Sequence, residues 1–289
     1  MLDSLKKLMR PGAFPAGHFY SPIVDVADIE ARRASIWPAH PVVAGIDFDD
    51  ASHREVLETF FPRYMGGYDY PETLPETAEL DRFYTRNSQF SWLDARALFV
   101  LLRAWRPARI IEVGSGFSSL LIADVNRRFL SGGADVTCIE PYPRPFLRRA
   151  HDGISRLVER RVQDVPLATF DALQDGDVLF IDSSHVAKTG SDVNFLFFDV
   201  LPRLARGVRI HVHDIFLPHD YPPDWVIGEN RSWNEQYVVR ALLMHSTALR
   251  VVFGCAYAFH AHPGLVRRAL AHPQGHAFGG GSLWLRKTA

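Results

Sequence analysis

The sequence predicts an α/β protein built on a doubly wound, mostly parallel sheet. Three observations predict it. The stretch Arg109-Ile110-Ile111-Glu112-Val113-Gly114-Ser115-Gly116-Phe117-Ser118-Ser119 reads as a short apolar strand, a glycine turn and a helix start. From residue 109 onward, strand and helix patterns alternate. Ionisable residues recur where the strands should end, and in such sheets ligands bind beyond the carboxyl ends of strands. At the turn, Gly114 and Gly116 allow a sharp bend and close backbone approach to a ligand, with no Cβ in the way. The free N–H groups of the following helix start face that ligand. Ser118 and Ser119 are placed to cap the helix or donate hydroxyls.

The elements follow in order. Residues 1–85 are rich in prolines and aromatics, with helical pieces at 26–36 and 52–62. They read as an N-terminal extension packed on a core domain of residues 86–289. Residues 94–105 form a helix that is apolar on most faces, ended by Pro107. Strands are predicted at 109–113, 135–140, 157–162, 177–181, 207–212, 249–256 and 282–287. Helices are predicted at 117–130, 144–151, 191–205, 233–246 and 263–271. The run Gly279-Gly280-Gly281 reads as a flexible turn.

Composition narrows the class. The chain has 289 residues, 47% of them hydrophobic, enough for one large domain or a domain with an extension. A formal net charge of −1 argues against a nucleic-acid footprint. No stretch approaches the roughly 20 apolar residues of a membrane span. Residues 1–10 carry Lys6 and Lys7 without a following apolar core, so they do not read as a secretion signal. A cytoplasmic protein is expected. Cys138 and Cys255 lie in apolar strand-like runs and read as reduced, buried residues.

The cofactor is indicated by small departures from a dinucleotide fingerprint. That fingerprint wants a third glycine where Ser119 stands. One acid precedes the turn, at Glu112, and another ends the second strand, at Glu140. Together these features resemble the class I S-adenosylmethionine-dependent methyltransferases. The resemblance implies seven strands with the last antiparallel. It also implies that the glycine turn lies beside the methionine part of the cofactor and that Glu140 holds the ribose hydroxyls. Asp164, after the third strand, matches a position bordering the adenine, next to Gln163. On this reading the cofactor-binding set is Glu112, Gly114, Ser115, Gly116, Ser118, Ser119, Glu140, Asp164 and Asp182.

The fourth predicted strand leads into Asp182-Ser183-Ser184-His185, and the fifth into His213-Asp214-Ile215-Phe216. These segments, with Gly17-His18-Phe19-Tyr20-Ser21-Pro22 and Trp233-Asn234-Glu235, resemble a bacterial small-molecule branch of the superfamily. That branch includes sugar and macrolide O-methyltransferases and a cephalosporin-hydroxylase-associated group. Asp182, His185, His213 and Asp214 are therefore the expected catalytic residues, with a histidine as base. Catechol-type O-methyltransferases offer a looser comparison. There an Asp matching Asp182 and an Asp-Asn pair bind a metal. Here Asp214 matches the pair's Asp, and Ile215 replaces the Asn. Asp182 and Asp214 are thus candidate metal ligands, with His213 or His211 as a substitute donor favouring a transition metal. His211 otherwise reads as a core histidine. His260, His262, His272 and His276 read as surface histidines.

The sequence thus predicts an S-adenosylmethionine-dependent methyltransferase acting on an oxygen of a small polar metabolite, sugar or natural product. No nucleic-acid or membrane partner is expected, and a homo-oligomer is left open. Two rival readings stand beside it: an NAD-dependent oxidoreductase on a similar sheet, and a cofactor-binding partner protein without chemistry.

Overall fold

The computed structural model describes residues 14–75, 80–90, 92–149, 152–270 and 280–289. The expectations for residues 1–10, His272, His276 and Gly279 lie outside them. Seven strands form one sheet: β1 (Arg109–Val113), β2 (Asp135–Ile139), β3 (Arg156–Val158), β4 (Val178–Ile181), β5 (Arg209–Val212), β6 (Leu249–Gly254) and β7 (Leu283–Lys287). Their order is β3-β2-β1-β4-β5-β7-β6. β7 is antiparallel to both of its neighbours, and the other pairs are parallel. The chain starts its sheet at β1 and builds outward on both sides, so the order reverses there. Such a switch point opens a crevice beyond the strand ends.

Each buried strand feeds two cores, because successive side chains alternate faces. Ile110, Val178 and Phe180 face one core, with Leu98, Leu101 and Leu121. Ile111, Val113, Leu179, Ile181, Ile210 and Val212 face the other, with Leu196 and Val200. The helix Trp92–Trp105 is buried at every position from Leu93 to Leu102, as its apolar sequence requires. Ladder hydrogen bonds continue past the strand ends. Gly114 N donates to Ile139 O at 3.0 Å, Asp182 N to Val113 O at 2.8 Å and His213 N to Ile181 O at 2.9 Å. That ladder aligns Gly114, Asp182 and His213 along one edge.

The N-terminal residues contribute to the core. Val56, Leu57 and Phe61 are buried with the central helix. The helix Asp50–Glu55 covers the edge strand β6, where a bulge falls between Val251 and Phe253. Ser52 Oγ donates to Val252 O at 2.8 Å, and Gly254 N donates to His53 Nε2 at 2.7 Å. Edge groups left open by the bulge are thus satisfied. Because Nε2 accepts, the proton of neutral His53 sits on Nδ1, 3.1 Å from Asp49 O. Burial lowers the pKa of His53, consistent with the neutral ring. His262 pairs with Asp50 of the same helix at 2.6 Å and is 10% exposed, so it is not the surface residue expected.

Other element boundaries differ for local reasons. Of the predicted helix at 144–151, residues 150 and 151 lie outside the described residues, and 145–148 form a turn; Pro145 keeps Arg144 out of helical backbone. β3 stops at Val158, and Val162–Asp164 forms a 3-10 turn instead. β6 stops at Gly254, and Cys255–Ala261 is helical. An apolar run of that length does not distinguish strand from helix by periodicity. Both cysteines are free and buried. None of the described helices is long and apolar enough to cross a membrane.

Candidate active site

A cavity of about 690 Å³ opens at the switch point. Its walls bring together Gly114–Ser118, Glu140, Asp182–His185, His213, Asp214, Trp225 and Trp233. An adjoining cleft of about 530 Å³ shares Gly114, Glu140 and Asp182 and adds Gln163. Asp164 is exposed and lines neither space. The 3-10 turn presents Gln163 instead.

The glycine turn is held from inside. Glu112 is fully buried and lines neither space. Ser118 Oγ donates to its Oε1 at 2.7 Å, Ser119 Oγ to its Oε2 at 2.5 Å and Cys138 Sγ to the same oxygen at 3.3 Å. Ser119 Oγ also accepts from Gly116 N at 2.9 Å. Burial pushes the Glu112 carboxyl up to about 7 against these hydrogen bonds. Glu112 and Ser119 therefore set the turn's shape, contrary to the expectation that they touch a ligand. Alternation along β1 explains this, since Glu112 points to the same core as Ile110. The two glycines also differ. Gly114 has φ +80°, whereas Gly116 has an extended φ of −164°.

Glu140 does face the cavity. Its Oε2 accepts from Ser115 N at 3.2 Å and its Oε1 from Tyr142 N at 2.8 Å. These bonds orient the carboxylate between the turn and the next loop. Ser115 Oγ is buried without a partner among the described residues. Gln89 and Arg144 join across the rim at 2.9 Å, and neither was singled out from the sequence as a site residue.

Opposite lies a carboxylate–imidazole cluster. His185 is 6% exposed. Its Nε2 lies 3.4 Å from Asp182 Oδ1 and 3.3 Å from Asp214 Oδ2. Its Nδ1 lies 2.9 Å from Oε2 of Glu235, a fully buried carboxylate. Burial alone would lower the His185 pKa. Hydrogen bonds with Asp182 and Glu235, and the charges of Glu235 and Asp214, outweigh it and hold the pKa well above the ordinary value. Burial prevails at Asp214 and raises its carboxyl. At Asp182, the charges of His213 and His185 and the His185 hydrogen bond overcome burial and lower it. His213 Nε2 is 3.6 Å from Asp214 Oδ1. Burial would lower the His213 pKa, but Asp214, Asp182 and Asp94 raise it. His211 is stacked on Phe180, with ring centroids 3.7 Å apart, and its Nε2 meets Ser282 Oγ at 3.0 Å. Burial drives its pKa well below the ordinary value. It is a core residue and cannot serve as the substitute metal donor.

Backbone strain fixes this cluster. His185 and Asp214 adopt left-handed φ angles of 61° and 56°. Such non-glycine residues cost about 1–3 kcal/mol each and persist only where their surroundings hold them. Asn234 N and Glu235 N both donate to His185 O, at 3.0 and 3.1 Å. Asn234 Oδ1 accepts from Ala187 N at 2.6 Å. Ser183 Oγ donates to Glu235 Oε1 at 2.9 Å. The start of the helix Glu235–His245 thus clamps the loop after β4. Across the site, Ile215 N donates to Gly281 O at 2.8 Å. Asp94 accepts from Gly281 N and Ser282 N at 3.1 and 2.8 Å. Glu235 was not predicted as a site residue. Its sequence signal was Trp233-Asn234-Glu235, which reads equally well as an ordinary acidic helix start.

Three of these residues meet the geometry of a cation site. Asp182, His185 and Asp214 each offer one ligand atom, all within 4.8 Å of one another. The expected carboxylate pair is present, and His185 supplies the third donor. Glu235 on the far ring nitrogen is the partner that a metal-ligating imidazole takes.

A sheet ordered about a β1 switch point, a reversed β7, a glycine turn after β1 and an acid after β2 define the class. The chain belongs to the class I S-adenosylmethionine-dependent methyltransferases. Residues 111–215 match the family model described as a methyltransferase domain. An uncharacterized protein from Archaeoglobus fulgidus is 40% identical over 169 residues, 56% of this chain and 74% of that protein. Among solved structures, the 1,6-didemethyltoxoflavin-N1-methyltransferase of Burkholderia thailandensis is 15% identical. That match covers 86% of this chain and 94% of that one, with a TM-score of 0.39. A cyclopropane-fatty-acyl-phospholipid synthase-like protein from Lactobacillus casei is 13% identical. It matches over 70% of this chain and 96% of its own, with a TM-score of 0.33.

Proposed function

We propose that this methyltransferase moves a methyl group to an oxygen of a small polar metabolite, of the sugar or natural-product kind, with His185 as general base. The carrying observation is His185 itself. It is seated between buried Glu235 and the Asp182–Asp214 pair, and it faces the cavity that also holds the glycine turn and Glu140. The cofactor fits the turn: Gly114, Ser115 and Gly116 line the cavity, and a Cβ at Gly116 would meet only Gln89 Oε1 at 3.8 Å, so the backbone there stands open to a ligand. S-adenosylmethionine supplies the methyl on a sulfonium, which needs alignment and exclusion of water more than activation. In this reading Glu140 accepts the ribose hydroxyls, and Gly114–Gly116 border the methionine end. Gln163 replaces Asp164 beside the adenine. Asp182 links the two halves.

On the acceptor side, Trp225 and Trp233 form a wall, with Arg231 held 4.3 and 4.7 Å from their ring centroids. Glu229 pairs with that guanidinium at 2.7 Å, so the wall carries both aromatic and polar surface. The test is a panel of hydroxylated sugars, phenols and polyketides, assayed by release of S-adenosylhomocysteine. Acceptance only of amines, or of none of these alcohols, would overturn the oxygen reading.

Glu140→Ala is expected to weaken S-adenosylhomocysteine binding by about 1–3 kcal/mol, the usual cost of losing hydrogen bonds to a charged group. Isothermal calorimetry on the two proteins checks it. Equal affinities would remove Glu140 from the cofactor site.

The three-donor geometry supports a second version, in which a divalent cation lies between Asp182, His185 and Asp214. The cation would acidify and orient the acceptor hydroxyl, and His213 would become the base. Its mixed nitrogen and oxygen donors suit a transition metal better than Mg²⁺. A histidine titration followed by NMR separates the versions. Without a cation, His185 stays protonated past pH 6.5, because its folded pKa is raised. Methyl transfer by His185 should then rise with pH through that elevated pKa, as the proton leaves Nε2. Added Mn²⁺ that removes the His185 titration, with activity lost on chelation and restored by Mn²⁺, would assign His185 to the metal. No effect of chelator or Mn²⁺ would leave it as the base.

A further inference from the structure

A second cavity, also of about 690 Å³, lies at the opposite end of the sheet from the cofactor cavity. Its chemistry differs from the first. β5, β7 and β6 run side by side here, and their register places Arg209 opposite Arg286 and Arg286 opposite Arg250. Directly paired residues point to the same face. Three guanidiniums therefore stand in one row across three strands. Like charges placed directly opposite destabilise a sheet, so the row calls for a counter-charge. Arg206, in the turn before β5, adds a fourth cation at the same wall.

The carboxylates nearby answer only part of this charge. Arg250 Nε pairs with Asp49 at 2.8 Å, and Arg286 reaches exposed Asp175 at 3.3 Å. Arg209 has no carboxylate partner within bonding distance among the described residues. Its Nη1 donates to Gly176 O at 2.7 Å, and its guanidinium lies 4.6 Å from the centroid of Trp105. Arg206 has no hydrogen bond or ion pair among the described residues. Glu55 is the remaining acid of the wall. Burial, and then the charge of Arg286, lower the pKa of the Arg209 guanidinium. Trp105 and Phe60 supply an apolar floor beside the row. The volume falls in the range of small-molecule sites, roughly 300–1,000 Å³, and arginine forks match phosphate oxygens.

We infer that this cavity is a binding site for a phosphorylated small molecule, held by the row Arg209, Arg286 and Arg250 together with Arg206. The site stands apart from the methyl-transfer cavity and does not depend on the acceptor proposed above.

Pyrophosphate is the probe, measured by calorimetry and thermal shift against sodium chloride of equal ionic strength. The comparison protein is the double variant Arg206→Ala/Arg286→Ala. Both residues are exposed, neither belongs to the catalytic machinery, and circular dichroism checks that the variant folds. Wild type is expected to bind pyrophosphate saturably, to melt higher with it, and to bind more weakly as salt rises. The double variant is expected to bind at least tenfold more weakly. Without pyrophosphate it should melt no lower than wild type, since like-charge repulsion within the row is relieved. A wild-type shift no larger than that of chloride would overturn the inference. Equal pyrophosphate affinity in the two proteins would overturn it too, by placing the anion elsewhere.

Discussion

His185→Ala is expected to lower methyl transfer by about 10²–10⁴, the usual cost of losing a general base. Its S-adenosylhomocysteine affinity should stay within about threefold of wild type, because the proposed cofactor contacts lie at Gly114–Gly116 and Glu140. The loss follows from placement. His185 closes the cavity from the loop after β4, and both ring nitrogens are engaged by carboxylates. Glu235→Gln is the companion experiment. It keeps the volume but removes the charge that Nδ1 faces at 2.9 Å. The Glu235 charge that helps hold the His185 pKa up is then lost, so its NMR titration should move to lower pH. Turnover should also fall, because the ring loses the partner that fixes its orientation. The same shift makes stability depend on pH. A histidine with a raised folded pKa stabilises the protein fully below its unfolded value near 6.5. That contribution disappears as pH rises through the folded pKa. The wild-type stability advantage over Glu235→Gln should therefore shrink on the alkaline side. Turnover in His185→Ala within a fewfold of wild type would rule out the base, and an unmoved titration in Glu235→Gln would rule out the charge coupling.

The sheet was legible in the sequence because its signals are local. Each strand is a short apolar run, and the turn after β1 is spelled by Gly114 and Gly116. The convergence of Asp182, His185, His213 and Asp214 was legible for the same reason: residues at equivalent ends of neighbouring parallel strands share an edge. Roles within that edge were harder to read. Glu112 sits one residue before a strand end, and alternation alone decides that it turns inward. Ser119 belongs to the same inward network. Asp164 and Gln163 are adjacent, and a single 3-10 turn selects which one faces the cleft. Glu235 comes 50 residues after His185 in the chain. Only tertiary packing brings its helix start against the loop after β4, so no spacing rule exposes the pair. The covering of β6 by His53 and Ser52 is equally non-local, with partners about 200 residues apart.

Gly114→Ala is expected to abolish cofactor binding and to destabilise the fold. Gly114 holds φ +80°, and an alanine Cβ there would lie 1.7 Å from the carbonyl oxygen of Asp182. That oxygen is backbone and cannot swing aside as a side chain would. Gly114 is tied to β2 through Ile139 O, and Asp182 is tied to β1 through Val113 O. The added methyl must therefore pry the end of β1 from the end of β4, where the cofactor turn and the Asp182–His185 loop meet. Left-handed backbone costs an alanine roughly 1–2 kcal/mol, and overpacking adds typically 1–3 kcal/mol. For a chain of this size the sum corresponds to a fall in Tm of the order of 5–15 °C. Gly116→Ala is the control. Gly116 is extended at φ −164°, and a Cβ there would find only Gln89 Oε1, 3.8 Å away. Its Tm should stay within a few degrees of wild type, so a loss of affinity there would report contact with the cofactor and not damage to the sheet. Scanning calorimetry and S-adenosylhomocysteine titration of both variants make the comparison. A Gly114→Ala protein with wild-type Tm and affinity would show that β1 and β4 separate freely at their ends, and the close approach of Gly114 to Asp182 would then have no role in building the site.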